Sequence, residues 1–329
     1  MQAKTRQSLV FAAGTLISRI SGFARDALFA MTYGSQPFFD AFLVAFQIPN
    51  FMRRLFAEGA FSQAFVPLLT TVQTEESAQA SEQAIQQAFS WLLLCTTTVV
   101  LFMLLLAPWM ITLVAPGFNH DPQRLTWAIQ LLHWTLPYLT LICLAAFANS
   151  ILHTRQHFLL SGLLPVLLNL FLISATLFDY YHQQYSVKLA MAVSASGLCQ
   201  IIILTFRLRQ LNIKLGWNLQ YSSFIKKLFT MMSAGLFGAS LVQCSLLIDT
   251  FLASFLPQGS ISWIYYAQRL IYLPLGLFAV AISTVILPQL SRSRSNPIIF
   301  KQNLDWGLKH IVYLALPSCV GLWLLAPEI

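Results

Sequence analysis

Arg19, Arg25 and Asp26 stand within Ser18 to Asp26 (SRISGFARD), in a segment that from about Ser8 to Tyr33 is otherwise apolar enough to span a membrane. Arg25 lies roughly 9 Å beyond Arg19 at about 1.5 Å per residue. About ten good apolar residues return roughly 3 to 6 kcal/mol on insertion, whereas each central Arg or Asp costs about 2.5 to 3.5 kcal/mol. A lipid-facing helix does not recover that cost, so these charges must turn toward protein or a water-filled cavity. Gly14, Ser18, Ser21 and Gly22 form a stripe of small residues that lets a neighbouring backbone come close. The competing interpretation is a buried structural ion pair between Arg25 or Arg19 and Asp26.

A second group of charges has the same character. Arg53 and Arg54 sit near the centre of the apolar segment at about 41 to 70, with Asp40 at its outer end and Glu58 a turn further along. Arg269 lies in the segment at about 261 to 290. Counted from the segment midpoints, Arg25, Arg53 and Arg269 all fall within about 10 Å outward of the midplane. A guanidinium matches phosphate oxygens with paired donors and keeps its charge when buried. A cavity ringed with such groups predicts an anionic guest, with phosphate or diphosphate first. Pairing of Arg53 or Arg54 with Asp40 or Glu58 as helix glue is the alternative, yet these few acids do not neutralise all the arginines.

The elements that must position these groups are membrane helices. Of 329 residues, 57% are hydrophobic and 9% charged, against about 25% charged in soluble domains. The formal charge of +8 does not indicate nucleic acid, because the basic residues lie in short loops between apolar runs or inside them. Apolar segments lie at about 8 to 33, 41 to 70, 84 to 114, 127 to 152, 158 to 180, 187 to 206, 228 to 256, 261 to 290 and 306 to 326, which predicts an all-α integral membrane protein of about nine helices. Lys4, Arg6, Arg155, Arg207, Arg209, Lys214, Lys226, Lys227, Arg292, Arg294 and Lys301 fall on one side, with only Arg124 and Lys188 on the other. That asymmetry predicts a cytoplasmic N-terminus on an uncleaved first helix. Trp91, Trp109, Trp127, Trp134 and Trp263 read as interface anchors.

An internal repeat is visible. Asp26 to Ala30 (DALFA) resembles Asp249 to Ala253 (DTFLA), and Ala60, Ser62 and Pro67 correspond to Ala281, Ser283 and Pro288 at one offset. Repeated six-helix bundles with a site at their interface are a transporter architecture. The repeat predicts a complete lobe over 1–210 and a partial one, helices seven to nine, over 211–329. Catalytic signals are poor: no GxxxxGK, HExxH or GxSxG motif occurs. Cys95, Cys143, Cys199, Cys244 and Cys319 lie in apolar segments with no CxxC pair, and His153 and His157 read as ordinary interfacial histidines. No enzyme activity, cofactor or metal is expected.

With these residues in view, the chain closely resembles the MurJ/MviN family of lipid II flippases, within the multidrug/oligosaccharidyl-lipid/polysaccharide exporter superfamily. The resemblance rests on SRISGFARDAL (Ser18 to Leu28), DAFLVAFQIPNFMRRLFAEGAFSQAFVPLL (Asp40 to Leu69), APGF (Ala115 to Phe118) and SWIYYAQRLIYLPLGLFAVAISTVILPQLS (Ser262 to Ser291), and it extends over the whole chain. It implies a flippase of the inner membrane that carries the undecaprenyl-diphosphate-linked disaccharide-pentapeptide precursor of peptidoglycan, lipid II, to the outer face. It also implies that Arg19, Arg25, Arg53 and Arg269 bind the diphosphate and head group, with Asp26, Asp40 and Glu58 as acidic partners. Two features depart from the family. Tyr272 and Gln268 occupy positions flanking Arg269 where acids are common, and the chain stops within its ninth helix where relatives look like proteins of about fourteen. The missing helices are expected as a separate chain if the protein is split. The competing readings are an exporter of another polyprenyl-diphosphate-linked oligosaccharide, a drug exporter, a prenyl-diphosphate enzyme, and a truncated relic that does not transport.

Overall fold

In hydrocarbon a backbone must satisfy its own hydrogen bonds, which leaves these apolar runs little choice but helix. The computed structural model describes residues 2–155, 159–276, 280–294 and 296–326, with side chains except at 2–13, 15, 56–59, 159, 237–242, 273, 280, 281 and 284. Among the described residues there are helices and no strands. In chain order they are α1 (Gln2–Thr32), α2 (Pro37–Met52), a π-helix (Arg53–Phe61), α3 (Ser62–Glu75), α4 (Ala78–Leu105), α5 (Ala107–Val114), a 3₁₀ turn (Pro116–His120), α6 (Pro122–Thr135) and α7 (Pro137–Thr154). Then follow α8 (Leu159–His182), α9 (Lys188–Gln210), α10 (Ser223–Ala253), α11 (Ser260–Pro274), α12 (Val280–Arg292) and α13 (Pro297–Leu325).

Several boundaries are written in local chemistry. Ser77 caps α4 by accepting from the Ala80 N–H, Asp121 caps α6 by accepting from the Arg124 N–H, and Ser222 caps α10 by accepting from the Ile225 N–H. Prolines open α2, α5, α6, α7 and α13, where a missing N–H costs nothing. The run at 41 to 70 predicts one span, and the structure divides it into α2, the π-helix and α3. Pro49 lies inside α2 and cannot donate to the Ala45 carbonyl, toward which the Thr135 hydroxyl turns at 3.5 Å. Arg53 closes α2 with its N–H on the Pro49 and Asn50 carbonyls, and the wider turns run on from there to Phe61.

Five stretches of the described residues are long and apolar enough to cross a membrane: Ala78–Leu105, Pro122–Thr154, Leu160–His182, Lys188–Gln210 and Pro297–Leu325. Length accounts for part of the difference from the segments read in the sequence. Helices α2, α11 and α12 have 16, 15 and 13 residues, while α1 and α10 contain side chains outside the described set.

Packing groups the chain into two compact units, divided after Ser262. In the first, α1 lies along α8, α7 along α9, α2 along α6, and α10 against the π-helix and α3. The small-residue stripe of α1 meets α8 closely: a Cβ on Gly14 would come within 3.2 Å of the Gly162 backbone. A buried core of Phe61, Phe65, Phe147, Ile151, Leu204 and Leu208 joins the π-helix, α3, α7 and α9. Helix α10 belongs to this unit by packing, so the packing division and the repeat boundary at 210 fall at different points of the chain. In the second unit α12 packs on α13, where Gly307 admits the Ile286 side chain over its Cα.

Candidate functional site

The charge pair of α1 is held from two sides. Arg25 is only 8% exposed; its Nε donates to Asp26 Oδ1 at 2.9 Å and its Nη1 to Asn169 Oδ1 of α8 at 2.9 Å. Its guanidinium also lies 5.5 Å from the centre of the Phe29 ring. The Asn169 amide is itself fixed, donating to Ser21 Oγ at 2.8 Å and to the Ser18 carbonyl at 3.2 Å. The structure therefore realises the Arg25–Asp26 pair that sequence analysis weighed against ligand binding, and adds an amide from a distant helix. Asn169 was not singled out from the sequence, although a polar residue inside the apolar run at 158 to 180 is the signal that finds it. The pair carries no net charge, so any contribution of Arg25 to anion recognition rests on the direction of its donors. Arg19, two turns earlier, is exposed.

The other predicted arginines occupy separate settings. Arg53, half-buried at the start of the π-helix, donates from Nε and Nη2 to Asn50 Oδ1 at 3.1 and 2.9 Å. Arg54 is half-buried beside it. The Glu58 side chain lies outside the described residues. Arg269, in the second unit, is exposed and rests its guanidinium 4.8 Å from the Tyr265 ring centre one turn back. His153 bonds Ser161 Oγ at 2.6 Å and thereby ties α7 to α8, while His157 lies outside the described residues.

Asp40 has different partners from those expected. It is wholly buried, and Oδ2 accepts from the Gly259 N–H at 2.7 Å while Oδ1 accepts from the Ser262 N–H at 2.9 Å and the Ser262 hydroxyl at 2.6 Å. The first turn of a helix leaves N–H groups unpaired and carries a partial positive charge, so the beginning of α11 is a natural seat for a carboxylate. Gly259 is required there: its φ is +91°, and a Cβ would crowd Ser35 at 2.8 Å.

Arg124, read from the sequence as a loop charge, is 7% exposed. Its Nε donates to Asp121 Oδ2 at 2.8 Å, its Nη1 stands 3.8 Å from Asp40 Oδ2, and its guanidinium lies 4.7 Å from the Phe118 ring centre. Asp121 also accepts from Gln258 at 2.8 Å. The APGF motif joins the same clasp, because the Gly117 N–H donates to Ser254 Oγ at 3.0 Å and its missing side chain lets the Ser254 carbonyl lie against it. The signal for Arg124 was local: an Asp–Pro helix start with arginine three residues on.

The described residues thus hold Arg25 and Arg124 in buried carboxylate pairs and keep Arg53 half-buried on Asn50, within helices apolar enough for a membrane. The family model for the lipid II flippase MurJ matches residues 29–329. The chain belongs to the MurJ family. The match begins after Arg19, Arg25 and Asp26, but pairwise likeness to relatives reaches them. A probable lipid II flippase MurJ of Vibrio cholerae is 38% identical over 335 residues, covering 98% of this chain and 63% of the relative. A lipid II flippase MurJ of Burkholderia cenocepacia is 36% identical over 333 residues, covering 98% and 64%. A solved MurJ flippase in an inward closed conformation superposes with a TM-score of 0.79 at 30% identity, over 96% of this chain and 65% of that one. A MATE-family multidrug transporter of the MOP superfamily shares the fold with a TM-score of 0.70 at 15% identity, over 97% and 74%. The chain thus spans just under two thirds of the length of these MurJ relatives.

Proposed function

We propose that the protein containing this chain is a lipid II flippase, carrying the undecaprenyl-diphosphate-linked precursor of peptidoglycan from the cytoplasmic to the periplasmic face of the inner membrane. The observation that carries this reading is membership of the MurJ family over residues 29–329, with relatives named for that activity. Arg19, Arg25, Arg53 and Arg269 bind the diphosphate and sugar-peptide head group, with Asp26, Asp40 and Glu58 in supporting roles. Asp26 and Asn169 orient Arg25, and Asn50 orients Arg53. The six-helix lobes are residues 1–210 and the part beginning at 211, and rocking of one against the other exposes the substrate to each side in turn. The Lys and Arg asymmetry supports a cytoplasmic N-terminus among about nine spans. The reaction is transport, so no bond in the substrate is broken and no cofactor is called for.

The test is the accessibility of the lipid-linked precursor at the outer face of cells depleted of their own flippase and expressing this protein. Restored accessibility is the expected result. Failure to restore it, with the protein at normal level in the membrane, would set this reading aside.

A further inference from the structure

Between α9 and α10 the chain runs without helix from Ile213 to Ser222, and α4 holds this strap along its length. The Asn218 N–H donates to Ser90 Oγ at 2.8 Å, the Ser222 hydroxyl donates to Gln87 Oε1 at 2.5 Å, and the Tyr221 ring stands edge to face with Trp91, ring centres 5.8 Å apart. Gly216 passes close over the same helix, since a Cβ there would come within 3.0 Å of the Gln86 side chain. Beyond the two ends, Ile213 and Ile225 are buried in the core that holds Phe61 and Leu208.

The strap crosses a particular side of α4. Gln87, Trp91, Leu94, Thr98, Leu101 and Leu105 follow one another at three- and four-residue steps and so lie along one side of the helix. From Leu94 onward they are exposed, in a helix long and apolar enough to cross a membrane, so this side faces lipid. At Gln87, two turns earlier, the strap covers the same side, where α4 passes from polar residues to apolar ones. It therefore lies at the membrane–water boundary. What it turns outward suits that boundary: Trp217 and Tyr221 are 62% and 59% exposed. Cations stand at both of its fixed ends. Lys214 is exposed two residues before Gly216, and Lys226 and Lys227 are exposed one turn after Ser222. Arg207 and Arg209 end α9, and no acid occurs from Tyr180 to Ile248. Glu82, the one acid of α4, stands 3.5 Å from the Gln86 amide and leaves the balance positive.

We propose that this strap is a membrane-surface contact selective for anionic phospholipid, in which Trp217 and Tyr221 enter the headgroup layer and Lys214, Lys226 and Lys227 meet the lipid phosphates. Juxtamembrane basic clusters are drawn to anionic leaflets in this way. The contact lies within the first unit and is independent of the arginines assigned to the transported lipid.

The test reconstitutes the protein in nanodiscs of phosphatidylcholine carrying a small fraction of lipid brominated near the top of its acyl chains, either phosphatidylglycerol or phosphatidylcholine. The Trp217 contribution is the difference in fluorescence between wild type and W217F. Brominated phosphatidylglycerol should reach the same quenching of Trp217 at about one fifth of the mole fraction that brominated phosphatidylcholine needs, the effect of one cation engaged at an anionic membrane surface. K214Q/K226Q/K227Q should bring the two lipids to parity. Hydrogen exchange at residues 214–221 of the wild type, which relies on no variant, should slow when phosphatidylglycerol replaces part of the phosphatidylcholine. Equal quenching by the two lipids in the wild type, or exchange unchanged between the two bilayers, would overturn the selectivity for anionic lipid. Trp217 emission quenched by neither lipid would overturn the proposal as a whole, because the strap would then face water.

Discussion

Removing the Asp40 carboxylate should loosen the first unit more than any single apolar truncation at its surface. Asp40 is fully buried and accepts from the Gly259 N–H, the Ser262 N–H and the Ser262 hydroxyl at 2.6 to 2.9 Å. In D40A the two backbone donors, on buried residues, lose their acceptor, and each unsatisfied donor costs about 1 to 3 kcal/mol. Arg124 keeps Asp121 at 2.8 Å and the Phe118 ring, so the 3.8 Å approach to Asp40 adds less. The expected loss is about 3 to 5 kcal/mol, the range for breaking a buried charged partner. In D40N one oxygen still accepts from Ser262, but the amide NH₂ meets the Gly259 N–H donor to donor, so about half of that loss is expected. The assay is reversible unfolding in mixed detergent–SDS micelles, with hydrogen exchange read at residues 258–264. A D40A protein within about 0.5 kcal/mol of wild type, the usual scatter of a surface substitution, would refute the reasoning. A D40A/R124A cycle should show weak coupling, because the carboxylate acts mainly on the start of α11.

Other substitutions follow from the same contacts. N169L removes the acceptor for Arg25 and the donor to Ser18 and Ser21, and should cost about 1.5 to 3 kcal/mol; thermal unfolding in detergent measures it, with N169D expected to retain the Arg25 contact. G117A forces a methyl into the Ser254 carbonyl and should cost about 1 to 3 kcal/mol or more through backbone displacement, while G321A, with open space around it, serves as the neutral control in the same assay. Burial works against the charge of Asp121, but hydrogen bonds from the Arg124 N–H, Gln258 and the Arg124 guanidinium outweigh it and hold the carboxyl below the usual carboxylate range. A depressed pKa in the folded state means that its stabilising effect is full above the unfolded pKa and is lost as pH falls through the lower folded value. D121N should therefore melt lower than wild type near neutral pH and lose that difference in acid, below the ordinary carboxylate range; a constant difference at all pH values would contradict the linkage.

Much of this architecture is legible in the residues themselves, and the exceptions have physical reasons. The stripe Gly14, Ser18, Ser21 and Gly22 announces a close helix partner, and α8 approaches there. The identity of that partner is not local information, since Asn169 is 144 residues from Arg25. Intramembrane Arg25 and Asp26 read first as cavity charges with an ion pair as the competing interpretation, and the ion pair is what forms. Asp40 was read against Arg53 and Arg54 because they share a helix. Its observed partners lie at the start of α11, and the attraction of helix N-termini for carboxylates explains the preference. Arg124 looked like a solvated orientation charge; its pairing with Asp121 is local, but only the folded chain brings Asp40 to it. Of the tryptophans read as interface anchors, Trp91 packs on Tyr221 and Phe229 while Trp109 and Trp263 are 76% and 57% exposed. The division of one apolar run into α2, the π-helix and α3 was hidden because hydropathy does not register a change in helical pitch.

We propose that guanidinium geometry at Arg25, Arg53 and Arg269 recognises the diphosphate of the carried lipid. Arg25 already divides its donors between Asp26 and Asn169, and Arg53 directs two donors at one Asn50 oxygen; a lysine ammonium reproduces the charge of either but not the fork. The decisive measurement is outer-face accessibility of lipid II in cells depleted of their own flippase, expressing this protein or its R25K, R53K and R269K forms at matched membrane levels. The account predicts accessibility with the wild type and its loss by tenfold or more, about 1.4 kcal/mol or greater, in each lysine form. Full accessibility with all three lysine forms would contradict it.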